Sequence, residues 1–412
     1  MFRKSLPAKF LLTAASLLGW FPGFVPLFAI IGAVNLCLAS LCVAETPPAF
    51  ESVSAYLDQS VDDGVVAGGS LMVFHQGEIV YQTGFGYADI ETKRPYLVDT
   101  PAVVASVSKP ILGTLLHRLA DQKIVELDAP IDRYIEEFKD CQLETGEPIK
   151  RAPTLTELLT HTSGLRNDEA PGGRVWYQPW ATNQPLEFVV RRIATEFPFK
   201  RQPGTKLSYS GIGTEVAARV GEIVTDQPRN EMLLTHLCEP LGMTQTFYRD
   251  VVAVEKLKAP MPTRYYIGSK SGTLLVSRER LVPDKNRYSS SGGTIISTAS
   301  DLLTWLLMIR NDGMHDGEEY LSDAICRRLL TEHEVGFAAK GGLFVRQRDE
   351  SGKPTLFSHT GSSGTNVWFD VPSDTIGIML TQTRGSDIRP FRIELQKRVT
   401  EAVAELNLVA AP

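Results

Sequence analysis

Ser106-Val107-Ser108-Lys109 is the one S-x-x-K in the chain. On a helix, residues i and i+3 share a face and come within reach of each other. A serine hydroxyl is a weak nucleophile until a neighbour takes its proton. A lysine does so only when burial or nearby positive charge disfavours its ammonium form. The spacing therefore suits Ser106 as a nucleophile and Lys109 as its proton partner or electrostatic support. The structural alternative is a helix N-terminus with a serine cap and a solvated lysine. Two further groups fit the chemistry. Tyr209-Ser210-Gly211 follows Pro203-Gly204 and opens a helical run, which puts a phenol at a loop-to-helix junction where it can face a cleft. His359-Thr360-Gly361 ends a strand-like run and offers backbone groups, with a cationic or hydrogen-bonding side chain, to a bound carbonyl compound. Taken singly, Tyr209 reads as a core-edge aromatic and His359 as an ordinary strand histidine.

These residues need elements to hold them. The Val107–Gln122 run carries Ile111, Leu112, Leu115, Leu116 and Leu119 at helical spacing. Ser52–Val61 has helical spacing too. Gly68–His75 and Glu78–Thr83 flank Gln76-Gly77 and predict a β-hairpin, with Gly84–Ala88 continuing as strand or bulge. Thr156–Leu159, Pro185–Thr195, Gly211–Val224, Arg229–Leu241 and Ser300–Ile309 predict helices. Thr355–Ser358, Asn366–Asp370 and Thr375–Gln382 predict strands, and Arg389–Leu406 a long amphipathic C-terminal helix. Strands at both ends and helices between predict an α/β (α+β) domain with an antiparallel sheet. The sheet part covers about 48–125 and 291–412, with a mostly helical insert over about 126–290.

The 412 residues carry 42 Lys plus Arg against 48 Asp plus Glu, a net charge of −6. That balance argues against a nucleic-acid backbone binder, which needs a basic face. The 43% hydrophobic and 22% charged content is that of a globular chain. Arg3, Lys4 and Lys9 precede a run from Phe10 to Ala44 without a charge, interrupted by Pro22 and Pro26. A basic start followed by an apolar stretch and the small-residue exit Cys42-Val43-Ala44 reads as an export signal over 1–44. An uncleaved membrane anchor is the alternative. Either places residues 45–412 outside the cytoplasm, periplasmic or secreted. Cys37 and Cys42 fall in that run. Cys141, Cys238 and Cys326 have neither C-x-x-C nor zinc spacing, so buried free thiols are expected.

The motifs together resemble the class C β-lactamase family of serine hydrolases, which also includes D-alanyl-D-alanine carboxypeptidases, D-aminopeptidases and esterases. Besides S-x-x-K, the resemblance rests on Gly84-Phe85-Gly86-Tyr87-Ala88-Asp89, Asp128-Ala129-Pro130-Ile131 and Leu158–Leu165 with its His161-Thr162-Ser163-Gly164-Leu165 ending. It extends through Pro240-Leu241-Gly242-Met243 and Ser291-Gly292-Gly293 to Ser297–Leu302, and runs in family order from about 50 to 405. It implies a β-lactamase/transpeptidase-like fold and acylation of Ser106, with Lys109 and Tyr209 sharing the proton work. It also implies that the backbone N–H groups of Ser106 and Ser362 form an oxyanion hole, beside His359, Thr360 and Gly361. His161 reads as structural, shaping a loop near the cleft, and Ser108 as helix packing.

Two positions depart from the family's β-lactamases. Gly211 stands where Y-x-N has its amide, and His359 stands where many members have Lys in K-T-G. Both weaken the case for a β-lactamase and leave acyl-serine chemistry intact. The expected substrate is a small amide or ester, meaning a D-amino-acid peptide such as a cell-wall peptide, a β-lactam or a carboxylic ester. The competing reading is a non-catalytic, penicillin-recognition-type binding module that has lost turnover. No G-x-S-x-G, no H-E-x-x-H and no dinucleotide fingerprint is present, so neither a metal nor a cofactor is expected.

Overall fold

Two prolines, Pro47 and Pro48, lead through a short 3-10 turn into α1 (Glu51–Asp62), whose Val53 and Leu57 are buried. The computed structural model describes residues 46–410 apart from 168, 171–172, 176–177, 182–183, 250–256 and 278–288. The 1–44 segment expected to be an export signal, with Cys37 and Cys42, therefore lies outside the described residues, as do Trp176 and Tyr177.

The predicted hairpin forms from β1 (Gly68–His75) and β2 (Glu78–Asp89). Gln76 and Gly77 at its tip have φ of 47° and 102°, the positive pair that a tight two-residue turn needs to match strand twist. β2 continues through Gly84–Ala88 to Asp89 and pairs with β3 (Arg94–Pro95). Next come α2 (Ser108–Asp121), α3 (Leu155–Leu159), α4 (Leu186–Glu196) and α5 (Gly211–Thr225). Then follow α6 (Ala299–Arg310), β4 (Phe344–Arg348), β5 (Pro354–Thr360), β6 (Asn366–Asp370), β7 (Thr375–Thr381) and α7 (Arg389–Ala410).

The seven strands form one antiparallel sheet in the order β4-β5-β6-β7-β1-β2-β3. β1 pairs with β7, so the chain's two ends meet in mid-sheet. Both strands are buried at every residue because both faces of the sheet are covered. Period-2 alternation sorts their side chains. Leu71, Val73 and Met379 join the cluster under α1 and α7 with Phe50, Leu57, Phe391 and Leu395. Met72, Phe74, Ile376, Ile378 and Leu380 join the main core with α2, α5 and α6. The fold is thus a mixed α/β architecture with an antiparallel sheet between helical layers.

The one clear departure among the helices is the predicted Arg229–Leu241. It is α-helical only over Arg229–Leu233 and then widens into a π-turn over Leu234–Cys238. The wide turn, closed by Glu239 N–H donating to the Leu234 carbonyl, lets both Leu237 and Cys238 point inward. Cys141, Cys238 and Cys326 are free and buried.

Candidate active site

The chain turns into α2 through a strained step. Ala105 has φ 48°, a region a residue with a Cβ adopts at a cost of about 1–2 kcal/mol. Ala105–Val107 form a 3-10 turn, and α2 starts at Ser108 with Val107 as its cap residue and no side-chain cap bond. Ser106 therefore caps no helix. Lys109 is only 6% exposed, so it is not a solvated lysine either. The structural alternative for S-x-x-K fails on both counts.

Ser106 Oγ is instead the meeting point of the site. Lys109 Nζ donates to it at 3.4 Å, and Tyr209 Oη donates to it at 2.8 Å. Lys109 also donates to the Gly292 carbonyl at 2.7 Å, and its ammonium lies 5.0 Å from the centre of the Tyr209 ring. Tyr209 comes from the residue before the α5 cap. Ser210 caps α5 by accepting the Gly213 N–H, and its hydroxyl donates to the Arg166 carbonyl at 2.6 Å. Ser108 Oγ accepts the Ile295 N–H. It is buried and ties α2 to the short strand Ile295–Ser297 that follows the Gly292 turn.

His161 lies under Tyr209. Its φ is 60°, its ring centre is 4.4 Å from that of Tyr209, and its Nδ1 accepts the Ser210 N–H at 3.2 Å. Phe344 of β4 stacks on His359 at 5.1 Å and lies 5.9 Å from His161. His359 is 1% exposed, and its Nδ1 lies 3.1 Å from the Thr360 carbonyl. Burial, followed by the charges of Lys109 and His161, pushes its imidazole well below the ordinary histidine value. Burial, followed by the Lys109 charge, lowers His161 to about 3. Both effects, burial first and the Lys109 charge second, act against a positive charge on His359, which leaves the hydrogen-bonding role of the ring.

His359, Thr360, Gly361 and Ser362 line a pocket of about 280 Å³ with Tyr209 and Phe344, and Arg389 and Arg392 also border it. Gly361 packs tightly, since a Cβ there would lie 2.6 Å from the Val104 carbonyl oxygen. The described residues therefore bring Ser106, Lys109 and Tyr209 into direct contact and set the His359–Ser362 segment beside Tyr209. Trp180 packs on Phe197 and under Arg192 within the helical part. Among the described residues no cluster of His, Cys, Asp and Glu is placed to hold a metal.

Sequence reasoning missed Phe344 and the Gly292 carbonyl. Phe344 heads an edge strand whose last three residues are exposed, so no alternation marks it. Its signal is the Gly341-Gly342-Leu343-Phe344-Val345 run. A backbone carbonyl has no sequence signature beyond the glycine that lets it approach.

The family model described as Beta-lactamase matches residues 53–401. Esterase EstB of Burkholderia gladioli is 29% identical over 297 residues, covering 67% of this chain and 73% of the esterase. The D-alanyl-D-alanine-carboxypeptidase/endopeptidase AmpH of Escherichia coli K12 is 24% identical over 394 residues, covering 90% of this chain and 95% of the peptidase. Among solved structures, EstCE1, described as a hydrolase with promiscuous acyltransferase activity, superposes with a TM-score of 0.70 at 22% identity, covering 86% of this chain and 98% of that one. That likeness bears on the fold.

Proposed function

The chain belongs to the beta-lactamase family of serine hydrolases, and from that premise we propose that it cleaves small esters or amides through an acyl-enzyme on Ser106. The observation that carries the reading is the convergence of Tyr209 Oη and Lys109 Nζ on Ser106 Oγ, at 2.8 and 3.4 Å.

In acylation the Tyr209–Lys109 pair acts with one proton fewer than its phenol–ammonium form, and the Ser106 Oγ–carbonyl carbon bond forms as the Oγ proton passes into that pair. The carbonyl π-electrons move onto oxygen, where the N–H groups of Ser106 and Ser362 meet the charge. When the intermediate collapses, the bond to the leaving alcohol or amine breaks, and that group leaves with the proton. In deacylation, water loses a proton to Tyr209, attacks the acyl carbon and frees Ser106 Oγ, which regains the proton. Lys109 Nζ lies 5.0 Å from the centre of the Tyr209 ring, so both proton-handling groups stay beside Ser106 through the two transfers.

The substrate is a small carboxylic ester, a D-amino-acid amide or a β-lactam. His359, whose charged form burial disfavours, gives the pocket a hydrogen-bonding group, and exposed Arg389 supplies positive charge at its border. Ester-directed and peptide-directed activities are named for EstB and AmpH respectively. Export through the 1–44 segment, with a membrane tether as its alternative form, belongs to the same reading.

The test is hydrolysis of p-nitrophenyl esters, D-alanyl amides and benzylpenicillin by wild type and Ser106→Ala. Turnover of at least one class by wild type and none by Ser106→Ala supports the reading. Equal turnover by both refutes it. An acyl group captured by wild type and never released favours the binding-module alternative.

A further inference from the structure

Glu215 lies on α5 with its side chain 0% exposed. A buried carboxylate is costly unless donors satisfy it. Here one turn supplies them. Ser290 Oγ donates to Glu215 Oε1 at 2.6 Å, Ser291 N–H to Oε1 and Oε2 at 2.9 and 3.0 Å, and Ser291 Oγ to Oε2 at 2.7 Å. Arg229 Nη1 lies 4.0 Å from Oε2 and donates to Ser291 Oγ at 3.2 Å.

The next residue of that turn is Gly292, whose carbonyl accepts from Lys109 Nζ at 2.7 Å. The fit there is tight. A Cβ on Gly292 would sit 3.0 Å from Lys109 Nζ and 3.0 Å from Thr214 Cβ, and Thr214 is the neighbour of Glu215 on α5. Ser106 Oγ is the weaker of the two acceptors of Lys109, at 3.4 Å. The place of the ammonium is therefore set chiefly by where the Gly292 carbonyl is held. Tyr209, His161 and His359 also face Lys109, but none of them accepts a hydrogen bond from it.

We propose that Glu215 is a positioning residue for Lys109: it clamps the Ser290–Ser291 turn so that the Gly292 carbonyl holds the ammonium against Ser106. α5 then sets both partners of the nucleophile, Tyr209 through the Ser210 cap at its start and Lys109 through Glu215 in its second turn. The proposal rests on the acyl-serine reading above. Glu215 itself touches neither substrate nor the reacting atoms.

The experiment compares wild type, Glu215→Gln and Ser291→Ala in full-length protein. It reads kcat, KM and thermal midpoint on whichever ester or amide the wild type turns over. It also reads the rate of Ser106 acylation by an activated p-nitrophenyl ester, by intact mass, with and without Lys109→Ala. Glu215→Gln keeps the shape and removes the charge. Its kcat should fall about 10- to 100-fold, the scale of a small misplacement of a catalytic group, while KM stays within about twofold. Ser291→Ala, which leaves Glu215 in place, should show a smaller fall of the same kind. In the Lys109→Ala background, Glu215→Gln should change the acylation rate no further, because a residue acting through another has no separate effect once that other is gone.

An unchanged kcat in a folded Glu215→Gln protein overturns the proposal, and so does an equal rate loss with and without Lys109. If Glu215→Gln does not fold, Ser291→Ala decides, and an unchanged kcat there overturns the proposal. Failure of the acyl-serine reading looks different: wild type itself gains no acyl group on Ser106, and the proposal falls with it.

Discussion

His161 and Tyr209 pack with ring centres 4.4 Å apart and planes tilted by 42°, and the same imidazole accepts the N–H of the next residue, Ser210, through Nδ1. One buried side chain thereby fixes both the plane of the phenol and the backbone that carries it. Replacing His161 with Phe keeps a ring under Tyr209 and leaves the Ser210 N–H without its acceptor. An unsatisfied buried donor costs about 1–3 kcal/mol. Denaturant unfolding should show a loss of that size, and steady-state kinetics should show a fall in kcat of about tenfold with KM little changed.

Gly292→Ala drives a methyl to within 3.0 Å of the Lys109 ammonium. The backbone of the turn is held by Glu215, so Lys109 must give. The variant should fold and lose about 10- to 100-fold in kcat. A crystal structure should show the ammonium displaced from Ser106.

Tyr209→Phe removes the oxygen 2.8 Å from Ser106 Oγ while keeping the ring contact with His161. General acid–base groups contribute about 10²–10⁴-fold. Turnover should fall by that range. Where deacylation suffers more than acylation, pre-steady-state mass spectra should show a standing acyl-enzyme that wild type clears.

Acid should unfold the protein through its buried histidines. Burial, opposed by a bond to the Gly113 carbonyl, lowers His117 to about 4, and burial with the Lys109 charge lowers His161 to about 3. Both folded values lie below the ordinary value of about 6.5. Between these limits the unfolded chain binds protons that the folded chain does not. Stability is thus full above about pH 6.5 and falls as pH drops toward the folded values, by about 1.4 kcal/mol per pH unit for each histidine. His117 bonds the Gly113 carbonyl rather than any residue of the Ser106 cluster, so unfolding of His117→Gln between pH 6 and 5 should show a slope flatter by about that amount.

The hairpin and the S-x-x-K helix were legible because each is written locally. Gln76-Gly77 marks a turn of positive φ, and the leucines of α2 repeat at helical spacing. The fold class followed from strands at both ends of the chain. The π-turn after Leu233 was not legible, because a widened turn keeps the helical composition of its sequence. Ser106, Lys109 and Tyr209 were legible by residue type and motif. The carboxylate that clamps the Gly292 turn was not, since Glu215 and Ser291 are 76 residues apart and meet only in the fold. The downward pull on the His359 imidazole was hidden for a similar reason, since it comes first from burial in the fold and then from the charge of Lys109, which is distant in sequence.

The most direct measurement is the intact mass of the protein during reaction with an activated p-nitrophenyl ester and, separately, with benzylpenicillin, with Ser106→Ala alongside. Wild type should gain an acyl mass that maps by peptide digestion to Ser106 and is absent from Ser106→Ala. The same adduct on Ser106→Ala, or an adduct mapping to another residue, would contradict acylation of Ser106.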